Sequence, residues 1–384
     1  MPCLSRRFLI SAAASASFAS PVWAQSQTAS AAAQASMFSF GVAMPLTGYD
    51  AVQGDEALRG IQLAVDEANQ AQGVVGSPVA LLTADMPAQA AAASVVNQLI
   101  AENASVLFGS GSSGLAYPAT AAAELAQVPY IELTAPADGI VDRHFKFLLR
   151  ICPDTSMIGQ LAAQTVKARF SQQRLGFLFN TGATAGAIAA AAIAALEAEH
   201  IPITFQAAYP NHQADLYAQV GWMMRAGVDV LLHAAGPDDT LALFQAMQTQ
   251  GWRPHGLIGC GSGYGLRDTQ IALGAALEGT FVVAAPLYPG RAARVAQAYA
   301  AKYGVPPRSA ESCTAYVGAK LVFDTLNANH GDPTQLLPAL RGLDLKPGTL
   351  VNGFGVKFNT PGQNMASFVT LQRWQNGQLV PLSA

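Results

Sequence analysis

The sequence predicts an α/β chain of two lobes, each a parallel sheet with helices on both faces, joined by a multi-strand hinge. Three observations predict it. Short apolar runs alternate with amphipathic helical stretches, the βαβ rhythm of a parallel sheet covered on both faces. That rhythm runs from residue 38 to 133 and restarts at 175. The stretch from 36 to 384 is too long for one ordinary domain and suits two.

In chain order, residues 38–44 read as a strand. Residues 56–71 follow as a helix, with Leu58, Ile61, Val65 and Ala68 on one face. Strands at 79–83, 105–108 and 130–133 then alternate with helices at 88–102 and 117–126. The apolar run 147–153, closed by Pro153, reads as a strand that makes the first crossing between lobes. In the second unit, strands at 175–179, 203–207, 228–233 and 257–259 alternate with helices at 187–198, 216–225 and 241–249. A second crossing fits 280–286, and a long helix at 312–327 returns to the first lobe. The tail, 351–382, alternates apolar and polar residues around Gly355, Gly362 and Asn376-Gly377, which predicts edge strands, a hairpin and a third crossing. The expected division is 36–150 plus about 285–350 in the N-terminal lobe, and 151–284 plus about 351–384 in the C-terminal lobe.

The N-terminus reads as an export signal. Arg6 and Arg7 supply the positive charge, Leu9 to Phe18 an apolar stretch, and Val22-Trp23-Ala24 a cleavage site, so residues 1–24 are expected to be a signal peptide. The order Ser5-Arg6-Arg7-Phe8-Leu9-Ile10 resembles a twin-arginine signal. Residues 25–35, rich in Ala, Ser and Gln, read as a disordered leader. The expected location is periplasmic. The remaining apolar runs, such as 183–196, are Ala-rich and short of the about 20 residues that a spanning helix needs.

Composition narrows the function. The net charge is -3 with 12% charged residues and no basic stripe, which argues against a nucleic-acid partner. After cleavage Cys152, Cys260 and Cys313 remain. An odd number cannot all pair within one chain, and the spacing fits no zinc ribbon. They read as buried small hydrophobes, with a Cys152–Cys313 disulfide left open. The histidines show no paired metal spacing and no G-x-S-x-G elbow occurs, so neither a metal nor a catalytic site is expected.

Ligands of open parallel sheets bind outside the carboxyl ends of the strands. The loops at 45–54, 109–114, 134–138, 180–186, 234–239 and 259–265 are therefore where function is expected; all are rich in Gly, Ser, Thr, Asn and Asp. Helix N-termini in such loops favour anions. Gly109-Ser110-Gly111-Ser112-Ser113-Gly114 is a literal G-x-G-x-x-G, with Glu132 ending the next strand where a ribose-binding acid would sit. Pattern alone makes this a dinucleotide site. Its place after the third strand, the export signal and the serines' own use as hydroxyl donors point to a solute site without a cofactor.

The opening Phe40-Gly41-Val42-Ala43-Met44-Pro45-Leu46-Thr47-Gly48, then Gly54, then Gly60-Ile61-Gln62-Leu63-Ala64-Val65-Asp66-Glu67-Ala68-Asn69, resembles type I periplasmic binding proteins. More narrowly it resembles the leucine/isoleucine/valine-binding branch of ABC importers. Asp85, Gly109 with Ser112-Ser113, Val128-Pro129-Tyr130-Ile131, Phe145-Lys146-Phe147 with Arg150, and Leu277-Glu278-Gly279 match in order and spacing across the mature chain.

The resemblance implies two Rossmann-like lobes that close around a small molecule without chemistry, in a monomer recognised by an inner-membrane ABC permease. A periplasmic sensor feeding a signalling protein stays open as the other use of the fold. The resemblance also implies ligand contacts at Ser112, Ser113, Thr134, Ala135 and Pro136 in the first lobe. Gln53, with Tyr49 nearby, stands at the covering position of the first loop, and Thr184, Ser262 and Tyr264 belong to the second lobe. Ser113 and Thr134 are expected to hold one anionic group between them. The stretch Gly261-Ser262-Gly263-Tyr264 lacks the acid that meets an amino acid's ammonium in that branch, with Asp138 or Asp238 as replacements. The implied ligand is an amino acid, an amide or a carboxylate such as an aromatic acid.

Overall fold

The computed structural model describes residues 38–382; the expected export signal at 1–24 and leader at 25–35 lie outside the described residues. The first lobe holds β1 (Phe38–Met44), α1 (Ala51–Gln70), β2 (Val79–Asp85), α2 (Gln89–Ala101), β3 (Val106–Gly109), α3 (Ser113–Ala126), β4 (Tyr130–Glu132) and β5 (Leu148–Arg150). Its five strands lie in the order β2-β1-β3-β4-β5, all parallel. Successive side chains of a strand face opposite sides. Phe40, Val42 and Met44 of β1 accordingly enter a core with Ile61 of α1, while Ala43 enters a second core with Val96 and Leu99 of α2 and Leu115 and Ala119 of α3.

The second lobe follows with α4 (Thr155–Phe170), β6 (Leu175–Asn180), α5 (Ala183–Ala198), β7 (Ile203–Tyr209), α6 (Tyr217–Arg225), β8 (Val230–Ala234), α7 (Pro237–Thr249), β9 (Gly256–Cys260), α8 (Ser262–Gly265), α9 (Arg267–Leu273) and β10 (Phe281–Ala284). The chain then returns to the first lobe as α10 (Ala293–Tyr303), α11 (Glu311–Ala328) and α12 (Leu336–Arg341), and ends in the hairpin β11 (Thr370–Gln375) and β12 (Gln378–Pro381). The second sheet runs β12-β11-β10-β9-β8-β6-β7. It is parallel except where β11 pairs antiparallel with β10 and β12. Helices α4 and α5 cover one face, and α6 and α7 the other. Among the described residues no helix is long and apolar enough to cross a membrane.

Several helices start earlier than the apolar periodicity implied. α1 begins at Ala51 instead of 56, α3 at Ser113 instead of 117, and α5 at Ala183 instead of 187. Their first turns are made of small and polar residues that face the neighbouring lobe, so a hydrophobic pattern cannot reveal them. Glu56, inside α1, is fully buried: it accepts from Tyr299 Oη at 2.6 Å, Ser312 Oγ at 2.5 Å and the Arg308 amide at 2.9 Å. These bonds seat α10 and α11 on α1, and Phe323 and Val322 of α11 complete the first lobe's core.

Three segments link the lobes, between β5 and α4, β10 and α10, and α12 and β11. The first and third are bonded together. The Arg150 amide donates to the Gly362 carbonyl at 2.8 Å, and Gln363 Nε2 to the Cys152 carbonyl at 3.0 Å. The expected boundary at 351 is too early: Val356 is in the first lobe's core, with Val351 and Phe358 packed against it, and the tail joins the second sheet only at Thr370. Cys152, Cys260 and Cys313 are buried and free, so the open question of a Cys152–Cys313 disulfide is answered by two separate thiols.

A cleft between two sheets as the candidate functional site

Most of the loops that face the interlobe space are held by a side chain beneath them. Asp85, the last residue of β2, accepts from the Leu46 amide at 2.8 Å and Thr47 Oγ1 at 2.5 Å, which anchors the loop leading into α1. Glu132, the last residue of β4, is fully buried and accepts from the Ser110 amide (2.8 Å), Ser110 Oγ (2.6 Å), the Thr134 amide (3.0 Å) and the Ala135 amide (2.9 Å). One carboxyl thus ties the loops after β3 and β4 together, and burial pushes its pKa above the usual carboxylate range. The same contacts dispose of the dinucleotide pattern. The acid that would meet a ribose is enclosed by the Gly-rich loop itself. The Gly111 amide is taken up by Thr134 Oγ1 at 2.9 Å.

Behind these loops Arg150, fully buried, donates to the Ala137 carbonyl at 2.6 Å and to Gln363 Oε1 at 2.5 Å. It braces the loop after β4 against the hinge. Asp138 turns away from the cleft to cap α4, accepting from the Thr155 amide at 3.0 Å and Ser156 Oγ at 2.6 Å.

In the second lobe Asn180, at the end of β6, donates through Nδ2 to Asp239 Oδ2 and accepts from the Gly182 amide at 2.9 Å. Asp239 sits in the first turn of α7 and also accepts from the Gly236 amide at 3.3 Å. Deeper, His233 lies between Tyr209 Oη at 2.7 Å from Nε2 and Tyr264 Oη at 2.5 Å from Nδ1. Burial lowers the imidazole pKa from 6.5 to about 3, so the ring is neutral and accepts from one phenol while donating to the other.

Between the lobes lies a cavity of about 580 Å³. All six loops expected from the sequence contribute to its wall. Three contacts cross it: Gln53 Nε2 donates to Ser262 Oγ at 3.0 Å, the Ser113 amide donates to Thr184 Oγ1 at 3.0 Å, and the Tyr49 ring stacks on His212 with centroids 3.7 Å apart. The lobes are therefore in contact in a closed arrangement.

Of the residues singled out from the sequence, Gln53, Ser112, Thr134, Pro136, Thr184 and Ser262 line the cavity. Ser113, Ala135 and Tyr264 are fully buried behind its wall. The Ser113 hydroxyl accepts from the Ala137 amide at 3.2 Å, and Thr134 Oγ1 from the Gly111 amide at 2.9 Å. Tyr264 faces His233 because α8 turns its side chain under Gly259.

The wall also holds Asp50, Asp239, His212, Ser309 and Glu311, which sequence reasoning missed, and Asp238, which it named as a replacement acid. Asp50 is the residue before α1 and Asp239 lies in the first turn of α7. Both fall in loops where function was expected, but acidic residues at helix starts are common as caps, so neither was singled out.

A family model described as periplasmic binding protein matches residues 38–378. The chain belongs to that family. A relative from Brucella suis biovar 1, named Leu/Ile/Val-binding protein homolog 8, is 32% identical over 375 residues, covering 93% of each chain. Two solved structures share the fold. The branched-chain amino acid transporter substrate-binding protein LivJ from Streptococcus pneumoniae, in complex with isoleucine, has a TM-score of 0.80 at 20% identity, covering 90% of this chain and 99% of its own. A solute-binding protein of an ABC transporter from R. palustris, in complex with benzoate, has a TM-score of 0.80 at 18% identity, covering 90% and 96%. The family is one of binding proteins, and its two-sheet architecture is the one seen here.

Proposed function

We propose that the protein is the periplasmic solute-binding component of an ABC importer, which traps a small polar organic solute by closing its two lobes. One observation carries the reading: loops from the carboxyl ends of both sheets converge on one cleft of about 580 Å³, bridged by the Gln53–Ser262 and Ser113–Thr184 bonds. Cavities of this size, walled by small polar groups and helix starts, suit small-molecule capture. Closure would add the second lobe's contacts to a solute first held by one lobe, and the closed form is what a permease would read. The relatives' amino-acid and aromatic-acid ligands support the same solute size.

The test is a thermal-shift screen of the mature protein against amino acids, amides and aromatic acids. A solute bound only by the folded state raises the melting temperature with concentration. The solute should be recovered unchanged after prolonged incubation. Turnover abolished by one substitution in the cleft would overturn the proposal.

A further inference from the structure

Among the described residues a single ion pair joins the two lobes; every other lies within one lobe. Arg308, between α10 and α11 of the first lobe, donates through Nε to Asp268 Oδ2 at 2.9 Å and through Nη2 to Oδ1 at 2.6 Å. Asp268 belongs to the first turn of α9 in the second lobe. Two parallel bonds of this kind match the planar guanidinium fork to a carboxylate. The Arg267 amide, also of the second lobe, adds a main-chain bond to the Arg308 carbonyl at 2.8 Å. The arginine is held from its own lobe as well. Buried Glu56 accepts from the Arg308 amide at 2.9 Å and the Ser309 amide at 3.3 Å, and Asp55 Oδ2 lies 3.5 Å from Arg308 Nη1. Exposed ion pairs contribute little, chiefly because two long side chains must be immobilised in water. Here the Arg308 side chain is 24% exposed and that of Asp268 45%, and one partner is already set in place. Neither residue lines the cavity, although Ser309, next to Arg308, does.

We propose that Arg308 and Asp268 are positioning residues for solute capture: a clasp outside the cavity that holds part of the free protein closed. This rests on the reading of the cleft as a solute site. Bidentate hydrogen bonds demand contact, so they break once α9 swings away from the loop at 308. A favourable term present only in the closed form raises the closed share of the free protein, and the apparent affinity for a solute scales with the share that can hold it. The clasp touches no solute, so it sets how tightly solutes are held and not which one is chosen. The bonds from Arg308 keep the Asp268 carboxyl below the usual carboxylate range, so both partners are charged at neutral pH.

The experiment is a distance measurement on the free mature protein by spin labelling. The labels go on cysteines introduced by Asn97→Cys on α2 and Gln248→Cys on α7, both exposed, while the three native thiols are buried and stay unlabelled. The labelled parent should show the distance of this closed structure beside a longer one. Asp268→Asn, and Arg308→Lys, which keeps the charge but loses the fork, should each cut the closed-to-open ratio about two- to fivefold. The double variant should cut it no further, as for two residues that act as one pair. The parent's ratio should also fall between about 0.1 M and 1 M sodium chloride, and that of Asp268→Asn should not. A ratio unmoved by both substitutions, or effects that add in the double variant, would overturn the clasp. A free parent that lacks the closed distance would overturn it too. A solute that binds in the wider screen while the distances ignore both variants removes the clasp alone. Distances that respond as expected while no solute binds remove the functional reading, and with it the clasp's part in capture.

Discussion

Gln53 Nε2 donates to Ser262 Oγ at 3.0 Å, joining the first turn of α1 in one lobe to the start of α8 in the other, 209 residues along the chain. The bond closes one side of the cleft and leaves Gln53 Oε1 unpartnered. Gln53→Ala removes it together with that orphaned acceptor. A single neutral hydrogen bond contributes about 1 kcal/mol, so the closed arrangement should become about fivefold less populated. Small-angle scattering of the free protein should show a larger mean radius, and an unchanged radius would mean that the bond does not hold the lobes.

Ser113→Ala should cost stability before affinity. The hydroxyl accepts from the buried Ala137 amide, and its loss leaves that amide unpaired at about 1–3 kcal/mol. Thr184→Ala removes the acceptor of the Ser113 amide from the facing lobe, so it should change closure and affinity with little effect on the first lobe's stability. Melting curves and titrations of both variants separate the two effects. Equal losses of affinity with no change in melting would contradict this division.

Glu132→Ala should be among the most damaging substitutions in the first lobe. Four donors converge on the carboxyl, and alanine leaves them without that acceptor. The expected loss is about 2–3 kcal/mol in denaturant unfolding, because buried donors are left unpaired. A loss below about 0.5 kcal/mol, the range of ordinary surface changes, would show that the two loops are held elsewhere.

His233 sets an acid limit on stability. Its pKa is depressed from 6.5 to about 3 in the folded protein, so between those values the unfolded chain binds a proton that the folded chain does not. Its contribution is therefore complete above pH 6.5 and lost as the pH falls toward 3, by about 1 kcal/mol between pH 6 and 5. Glu132 and Asp50, whose pKa values are raised, act in the opposite sense, which makes the comparison with a variant essential. His233→Gln keeps a donor and an acceptor for Tyr209 and Tyr264 and cannot titrate. It should flatten the pH dependence of unfolding over this range; an unchanged slope would place the acid sensitivity in other groups.

Export should depend on Arg6 and Arg7 if the twin-arginine reading holds. Replacing both with Lys should stop transport by that route and spare a general secretory one. Fractionation that finds the double variant in the periplasm at the normal level would rule the twin-arginine route out.

The sequence by itself determined the strands, most of the helices, the doubled βαβ rhythm and the six loops that carry the cleft. These are set by local periodicity and by turn residues, which act within a few positions of the chain. Asn376-Gly377 is an example: the pair marks the hairpin of β11 and β12, and both residues adopt the positive φ such a turn requires. Which side chains face the solute was decided only in three dimensions. Ser113 follows Ser112 directly and Tyr264 lies two residues after Ser262, yet Ser113 and Tyr264 turn into the protein while Ser112 and Ser262 stay on the wall. Asp50 and Asp239, 189 positions apart by subtraction of their numbers, share one cavity because two sheets place their loops at facing carboxyl edges. Distance along the chain carries no trace of that meeting, since the closure of two lobes, and not any local propensity, brings the charges together.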